Sequence, residues 1–240
     1  MSVSILDDLL SPTVSRREAR PGIASVLPPD VEGTAYDTRA AAYDRVVGSA
    51  LYNRLIWGVS TARYRTFVDR ALADGSGPLL DAGAGSAVFT AEAYVQSDRP
   101  LILVDCSLGM LEAARNRLEK NAGGSMPDHV TLLHADVTDL PLRPEPIDTV
   151  LSMGMLHLFE DAGGHVDQLL RVLSPGGTLF ATSLVTDRTV GRQYLRLLHR
   201  AGEVAAPLTY ARLRQALASL NGAVEGKRDG NMAFFSIQTS

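Results

Sequence analysis

The sequence contains very little cysteine and no long apolar run. Its 240 residues include one cysteine, Cys106, so a disulfide within the chain and a cysteine-rich zinc site are both excluded. No apolar run approaches the ~20 residues needed to cross a membrane. The first residues also lack the basic-then-apolar layout of a signal peptide. These absences predict a cytoplasmic protein without a membrane span.

The sequence also lacks a large excess of positive or negative charge. The net charge is -4 with 21% charged residues, and the two basic clusters, Arg16-Arg17 and Lys227-Arg228, are short. Proteins that bind nucleic acids usually concentrate lysine and arginine on one face. Histidine and acidic residues do not occur at the spacing of metal ligands. We therefore expect neither a nucleic-acid partner nor a metal site.

The sequence does contain strongly apolar runs of strand length that alternate with helical patterns. Apolar residues make up 45% of the chain, enough for a sizeable core. Such runs are typical of a parallel sheet covered on both faces. They lie at Pro78 to Ala82, Leu101 to Asp105, Val130 to Ala135, Ile147 to Met153 and Gly177 to Leu184. With a C-terminal hairpin at residues 222–228 and 232–239, they predict a Rossmann-like, doubly wound α/β fold of seven mostly parallel strands.

The segment from Leu79 to Ala87, LLDAGAGSA, predicts a buried strand that ends in a glycine turn. A dinucleotide-binding turn needs Gly-x-Gly-x-x-Gly. Gly83 and Gly85 fit that pattern, but Val88 stands at the third position, so the dinucleotide interpretation fails. Asp81, just before the turn, is poorly placed beside a pyrophosphate and suits a cationic group such as an amino-acid ammonium.

Two further strands also end in an acidic residue. Ligands of open parallel sheets bind outside the carboxyl ends of the strands. Asp105 follows Asp81 by 24 residues, close to the ~20-residue interval at which such an acid reaches ribose hydroxyls. At the third strand end, Asp136 can accept a hydrogen bond from an adenine amino group, and the backbone of Val137 can meet the ring. Together these residues predict an adenosine site.

Five segments, in order, resemble the class I S-adenosylmethionine-dependent methyltransferases, in particular the ubiquinone and menaquinone biosynthesis group. They cover roughly residues 36–184 and read LLDAGAGSA, VDCSLGML, HADVTDLPL, DTVLSMGMLHLFED and RVLSPGGTLF. One departure is Ala87, which stands where the family usually has a third glycine. The resemblance implies S-adenosylmethionine as the cofactor and methyl transfer to a small molecule.

The resemblance also implies roles for individual residues. It places Gly83, Ala84 and Gly85 along the methionine part of the cofactor, Asp105 on the ribose, and Cys106 and Met110 against the adenine. Asp136 and Val137 would contact the polar edge of the adenine ring, and Met153 would approach the sulfonium. Family members often close this site with an N-terminal aromatic residue, for which Tyr43 is preferred over Tyr36.

Each of these residues also has a structural interpretation. The glycines can serve a tight turn, Asp105 and Asp136 can cap a helix and a turn, and Cys106 can be a small apolar contact. Tyr43 can belong to the core. His157 is the one titratable residue proposed for catalysis, as a neutral base that takes a proton from a hydroxyl acceptor; otherwise it packs or contacts the cofactor.

The domain organisation follows from these segments. Residues 1–33 carry four prolines without a sustained period and predict a mobile arm. Residues 34–240 predict one domain, divided into a helical cap (34–75), a cofactor-binding core (76–184), a lid (185–210) and a C-terminal helix end with the edge hairpin (211–240). The aromatic and aliphatic residues of the cap and lid favour an apolar or aromatic acceptor.

Two other functions remain open. A protein of this fold can bind the cofactor without turnover. A macromolecular methyltransferase is the other alternative, although the Asn/Asp-Pro-Pro-aromatic signature of base methylation is absent. The sequence leaves the acceptor, the methylated atom and the oligomeric state undetermined.

Overall fold

The computed structural model describes residues 2–28, 48–144 and 146–239. The helices are α1 (Ser2–Leu9), α2 (Ala50–Tyr52, continued by a π-helix, Asn53–Trp57), α3 (Thr61–Ala73), α4 (Ala91–Val95), α5 (Leu108–Asn121), α6 (Ala162–Leu170), α7 (Thr189–Arg200) and α8 (Tyr210–Leu217), with a 3₁₀ turn at Leu156–Leu158. The strands are β1 (Arg17–Arg20), β2 (Ile23–Ser25), β3 (Leu79–Ala82), β4 (Leu101–Asp105), β5 (Val130–His134), β6 (Ile147–Ser152), β7 (Leu173–Leu184), β8 (Ala223–Asp229) and β9 (Met232–Gln238).

In the described part of the chain, the strands form one sheet in the order β1-β2-β5-β4-β3-β6-β7-β9-β8. The six strands from β2 to β7 are parallel, whereas β1 and the β8–β9 hairpin are antiparallel. The predicted doubly wound α/β fold with a C-terminal edge hairpin is therefore confirmed. The predicted number of seven strands is wrong, because the sheet has nine.

The two additional strands come from the N-terminal segment. β2 pairs in parallel with β5, and the side chain of Ile23 is fully buried. Leu6 of α1 is also buried, in the core beside β5. Residues 2–28 thus belong to the sheet edge, which differs from the predicted mobile arm. Residues 29–47, the start of the predicted cap, lie outside the described residues.

The sheet is covered on both faces. One core cluster holds Ile102, Val150 and Phe235, and the other holds Leu101, Leu103 and Phe180. Strands covered on both faces read as continuous apolar runs, which is why the parallel strands could be predicted from sequence. Strand order reverses between β3 and β6, so the switch point lies where β3 runs into the glycine turn.

Arg99 lies just before β4, at the amino ends of the parallel strands, and connects several segments there. The side chain is buried and joins the end of α3 to the entrance of β3. The guanidinium donates to the carbonyl oxygens of Ala71, Leu72, Asp74 and Gly77 at 2.8 to 3.2 Å, and to Thr149 Oγ1 at 3.0 Å. An arginine near a helix end satisfies carbonyls that have no partner within the helix.

Candidate functional site

The register of the sheet brings the three predicted acids to one edge. Ala82 lies opposite Val104, and Asp105 lies opposite His134, so β3, β4 and β5 end side by side. The amide of Ala135 donates to the carbonyl of Asp105 at 3.2 Å, which ties the end of β5 to the end of β4. The carboxyl ends of these neighbouring strands therefore carry Asp81, Asp105 and Asp136.

The glycine turn is anchored to the end of β4. The amides of Gly83 and Ala84 both donate to the carbonyl of Val104, at 2.9 and 3.0 Å, and the amide of Gly85 donates to Asp105 Oδ2 at 2.8 Å. These three N–H groups are thus directed at β4, whereas a pyrophosphate-binding loop directs such groups at its ligand. The geometry agrees with the rejection of a dinucleotide site.

The two glycines have different surroundings. Gly83 has φ +81°, and a Cβ there would lie 2.5 Å from Sδ of Met155, so the Met155 side chain lies directly over the turn. Gly85 has φ +52° and open space where its Cβ would be. Met155 was not predicted as a site residue, because only the folded chain shows which methionine of the segment 153–155 reaches Gly83. The predicted Met153 is half-buried and packs against the core cluster that contains Phe180.

Asp105 occupies the position expected of a ribose-binding acid. Oδ2 accepts the amide of Gly85, and Oδ1 accepts the amide of Ser107 at 2.9 Å. Ser107 in turn caps α5, since its hydroxyl accepts from the amide of Met110 at 3.2 Å. Each carboxylate oxygen can accept two hydrogen bonds. The side chain therefore positions both the glycine turn and the start of α5.

Asp81 lies beneath the turn, with 2% of its surface exposed. The hydroxyl of Tyr94 donates to Asp81 Oδ2 at 2.7 Å. Burial raises the pKa of Asp81 to about 7; the hydrogen bond from Tyr94 opposes this rise, and the charge of Asp105 adds to it. Such a carboxyl group is poised to ionise when a cation arrives, because an adjacent positive charge favours the ionised form.

The residues predicted to enclose the adenine lie around the ends of β4 and β5. Asp136 is exposed and accepts from the amide and hydroxyl of Thr138 at 2.8 and 2.7 Å, an arrangement that also caps this turn. Val137 and Met110 are buried, and Cys106 is exposed. They follow the carboxyl ends of two paired strands, and their contact with an adenine stays a prediction. Tyr43 lies outside the described residues.

His157 connects the predicted lid to the sheet. Its Nδ1 accepts from the amide of Leu184 at 3.3 Å, and its carbonyl accepts from the amide of Ala205 at 3.0 Å. Burial lowers the pKa of His157 to about 4, so the ring is neutral near pH 7. A neutral ring whose Nδ1 accepts carries its proton on Nε2. This tautomer makes the outer nitrogen a donor, which argues against the predicted general base.

Ala87 adopts a conformation that normally requires glycine. It is the one non-glycine residue with positive φ (54°) in the described part of the chain, and it is buried. A non-glycine residue in this left-handed region is strained by ~1–3 kcal/mol. The fold therefore preserves the turn that a glycine supplies in the resembled family, at the cost of local strain.

An Ala87→Gly substitution is expected to change the free energy of unfolding by no more than about 1 kcal/mol. Relief of the strain is offset by loss of a buried methyl group, ~0.8 kcal/mol, and by the greater freedom of glycine in the unfolded chain. Urea denaturation measures this value, and calorimetry should show cofactor affinity within about twofold of wild type. A tenfold change in affinity would show that the methyl group shapes the binding loop.

The segment that forms this edge is similar to a known protein family. Residues 80–181 match the family model described as a methyltransferase domain. This segment therefore resembles a methyltransferase domain. Every predicted site residue except Tyr43 lies within it, and the predicted resemblance to class I S-adenosylmethionine-dependent methyltransferases is confirmed.

A curated relative of the domain is the demethylmenaquinone methyltransferase of Clavibacter sepedonicus. It is 37% identical over 147 residues, which are 60% of this chain and 54% of the relative. The chain spans about half the length of the curated relatives of this kind that it matches.

Solved structures share the fold of the methyltransferase domain at low identity. Haemonchus contortus phosphoethanolamine N-methyltransferase 2, in complex with phosphomonomethylethanolamine and S-adenosylhomocysteine, has a TM-score of 0.64 at 16% identity, covering 85% of this chain and 57% of that one. The cyclase SpnF has a TM-score of 0.65 at 15% identity, covering 85% and 94%.

The described residues lack two further kinds of feature. Their histidine, cysteine and acidic side chains form no group of three or more that is suited to holding a metal ion. None of their helices combines the length and apolar character needed to cross a bilayer.

Proposed function

We propose that this protein transfers a methyl group from S-adenosylmethionine to a small apolar or aromatic molecule. The observation that carries the proposal is the edge formed by β3, β4 and β5, where a glycine turn anchored to Asp105 lies beside two further acids. The domain match over residues 80–181 and the cofactor product bound by the Haemonchus enzyme support the same assignment.

The placement of the residues supports one role for each. Asp105 holds the ribose hydroxyls through its carboxylate oxygens, and Asp136 with the backbone of Val137 meets the adenine. Gly85 leaves the open space along which the methionine part lies. S-adenosylmethionine supplies an activated methyl group and its own leaving group. The protein therefore has to orient the acceptor in line with that methyl group and exclude water, tasks that need few acid–base residues.

Asp81 links cofactor binding to pH. An Asp81→Asn variant is expected to bind S-adenosylmethionine about tenfold more weakly at pH 8, because a charge-assisted interaction with the cofactor's cationic groups is lost. Wild-type affinity should rise between pH 6 and 8 as Asp81 ionises, whereas affinity of the variant should stay flat. Calorimetry in buffers of different ionisation enthalpy measures both the affinity and the proton released by wild type.

The same substitution should have the opposite effect on the stability of the cofactor-free protein. Burial on folding raises the pKa of Asp81 from its usual 3.8 to about 7. The contribution of a group with a raised pKa is present below its unfolded pKa and is lost as pH rises through the folded one. Asp81→Asn should therefore be more stable than wild type at pH 8 and no more stable at pH 4. Equal pH profiles of melting temperature would contradict this role.

The acceptor class is inferred from the relatives and the lid. The Clavibacter relative is named for a demethylated menaquinone. In this chain, the segment 185–210 leaves the carboxyl end of β7, at the same edge as the three acids. Tyr194 of this segment packs against the buried Trp57, with ring centroids 5.5 Å apart, so the segment carries an aromatic side chain near this edge. An aromatic acceptor such as a hydroquinone fits these surroundings.

The proposal is tested with S-adenosylmethionine labelled in its methyl group and a panel of hydroquinones and phenols. We expect label in an organic extract with at least one hydroquinone, together with an equal amount of S-adenosylhomocysteine. A variant at Asp105 serves as the negative control. Failure of the wild-type protein to bind S-adenosylmethionine at all would refute the proposal.

Cofactor binding without methyl transfer is the second candidate. It is favoured by one observation at this site: the Nδ1 atom of His157 accepts a backbone amide, so this histidine is not placed as a base. The cyclase SpnF also has this fold. Binding of S-adenosylhomocysteine without turnover across the whole panel would favour this second candidate.

A further inference from the structure

Exposed apolar side chains cluster on two adjacent helices of this protein. Among the described residues, five large hydrophobic side chains are exposed, and four of them lie on the α2 segment (residues 50–57) or on α7. Leu51 and Leu55 are 66% and 64% exposed, and Val190 and Leu197 are 58% and 60% exposed. Single exposed apolar residues are ordinary, but a group of this kind marks an interaction surface.

The two helices are joined by aromatic rings, so the four side chains belong to one surface. Leu51 and Leu55 are four residues apart, and Val190 and Leu197 are seven apart; each pair therefore shares one helix face. Tyr194 lies between Val190 and Leu197 on α7. Its ring centroid is 6.2 Å from that of Tyr52, the neighbour of Leu51. We call this surface the α2–α7 face.

The two helices that form the α2–α7 face carry positive charges and no negative ones. Residues 48–63 and 188–202 contain no acidic side chain, whereas the whole chain has a net charge of -4. The arginines are exposed at Arg54, Arg188, Arg196 and Arg200. Arg54 is three residues from Leu51, and Arg200 is three from Leu197, so each is a neighbour of an exposed leucine on its helix.

We propose that the α2–α7 face docks on an anionic lipid bilayer. Leucine and valine side chains enter the boundary between headgroups and acyl chains, as on a helix that lies in the membrane surface. The arginines keep their apolar stems at that boundary and direct their guanidinium groups toward lipid phosphates. A layer of leucines beside arginines, without acids, complements such a surface in both polarity and charge.

The position of the α2–α7 face suggests a function for the docking. α7 belongs to the segment that leaves the carboxyl end of β7, beside the candidate cofactor site. A docked protein would therefore hold the mouth of that site at the membrane, where an acceptor dissolved in the bilayer is concentrated. This use rests on the proposed function, whereas the docking does not.

Vesicle sedimentation tests the docking. We expect the full chain to sediment with vesicles that contain phosphatidylglycerol, to remain in solution with pure phosphatidylcholine, and to dissociate at high salt, because salt screens surface charge. An arginine near an anionic surface contributes about fivefold to partitioning. Arg196→Glu with Arg200→Glu should therefore reduce partitioning at least about 30-fold. Leu51→Ser with Leu197→Ser should reduce it at least about tenfold.

Matched controls separate a specific face from general charge. Arg212→Glu with Arg214→Glu makes the same change in net charge on α8, where both side chains are exposed, and it should change partitioning less than twofold. Circular dichroism and S-adenosylhomocysteine binding check that every variant is folded. The proposal is overturned if the wild-type protein does not bind phosphatidylglycerol vesicles, which includes the case in which a second copy or residues 29–47 cover the face. It is also overturned if the α8 variant loses as much partitioning as the variant with Arg196→Glu and Arg200→Glu.

The two proposals fail separately in these experiments. S-adenosylhomocysteine affinity is measured without vesicles, so loss of that binding alone would refute the proposed function and leave the docking intact. Absence of vesicle binding with normal S-adenosylhomocysteine affinity would refute the docking alone.

Discussion

Replacing Asp105 with alanine is expected to weaken S-adenosylhomocysteine binding by about 100-fold. The substitution removes the proposed acceptor of the ribose hydroxyls, and hydrogen bonds to a charged group contribute ~1.5–3 kcal/mol each. It also removes the group that accepts the amides of Gly85 and Ser107, at 2.8 and 2.9 Å. The glycine turn and the start of α5 therefore lose a shared anchor beside the cofactor. A loss of ~3 kcal/mol corresponds to a factor of about 100 in the dissociation constant.

Isothermal titration calorimetry measures this loss, and two variants sharpen it. Asp105→Asn keeps one carbonyl oxygen as an acceptor and should fall between alanine and wild type. Asp98→Ala, which removes an exposed acid just before the opposite end of β4, should bind like wild type. An unchanged dissociation constant in a folded Asp105→Ala protein would show that the ribose does not lie on β4.

Replacing Arg99 with alanine should lower the free energy of unfolding by about 3–4 kcal/mol. The guanidinium is buried and makes five hydrogen bonds, four of them to backbone carbonyls between Ala71 and Gly77. Without it, these carbonyls lose a charged donor at a site with little access to water, and each unsatisfied buried group costs ~1–3 kcal/mol. Losses of this size arise when a buried polar network is broken.

Urea denaturation measures the effect, with Arg65, a half-buried arginine of α3, as the control. Arg65 pairs with Asp69 and Glu92 at the surface, so Arg65→Ala should cost less than about 1 kcal/mol. Because Arg99 lies at the edge opposite the cofactor site, folded Arg99→Ala should bind S-adenosylhomocysteine normally. A loss below 1 kcal/mol would show that the loop from α3 to β3 does not depend on this side chain.

The features that could be predicted from sequence are those that a local pattern encodes. β3 and β4 are buried on both faces and end in acids, so their apolar runs and the acids after them identify strands and a ligand-binding edge together. Gly83 and Gly85 have positive φ, and glycine is the residue that adopts it without strain. Three short segments are thus enough to predict which end of the sheet carries the proposed cofactor site.

The features that sequence analysis missed depend on contacts between distant segments. The strand β1 reads Arg-Glu-Ala-Arg and joins the sheet because the buried Ile23 of the next strand pairs beside β5. No local pattern shows that Tyr94 donates to Asp81 or that Met155 covers Gly83. The proton position on His157 likewise depends on Leu184, 27 residues away along the chain.

The most direct measurement is the distance between the Asp105 carboxylate and the ribose oxygens in a crystal structure with S-adenosylhomocysteine. We predict ~2.5–3.0 Å, the range of an O–H···O hydrogen bond, with the adenine beside Val137 and the sulfur facing the segment 185–210. Ligand bound away from the ends of β3, β4 and β5, or ribose hydroxyls without contact to Asp105, would contradict the proposed site.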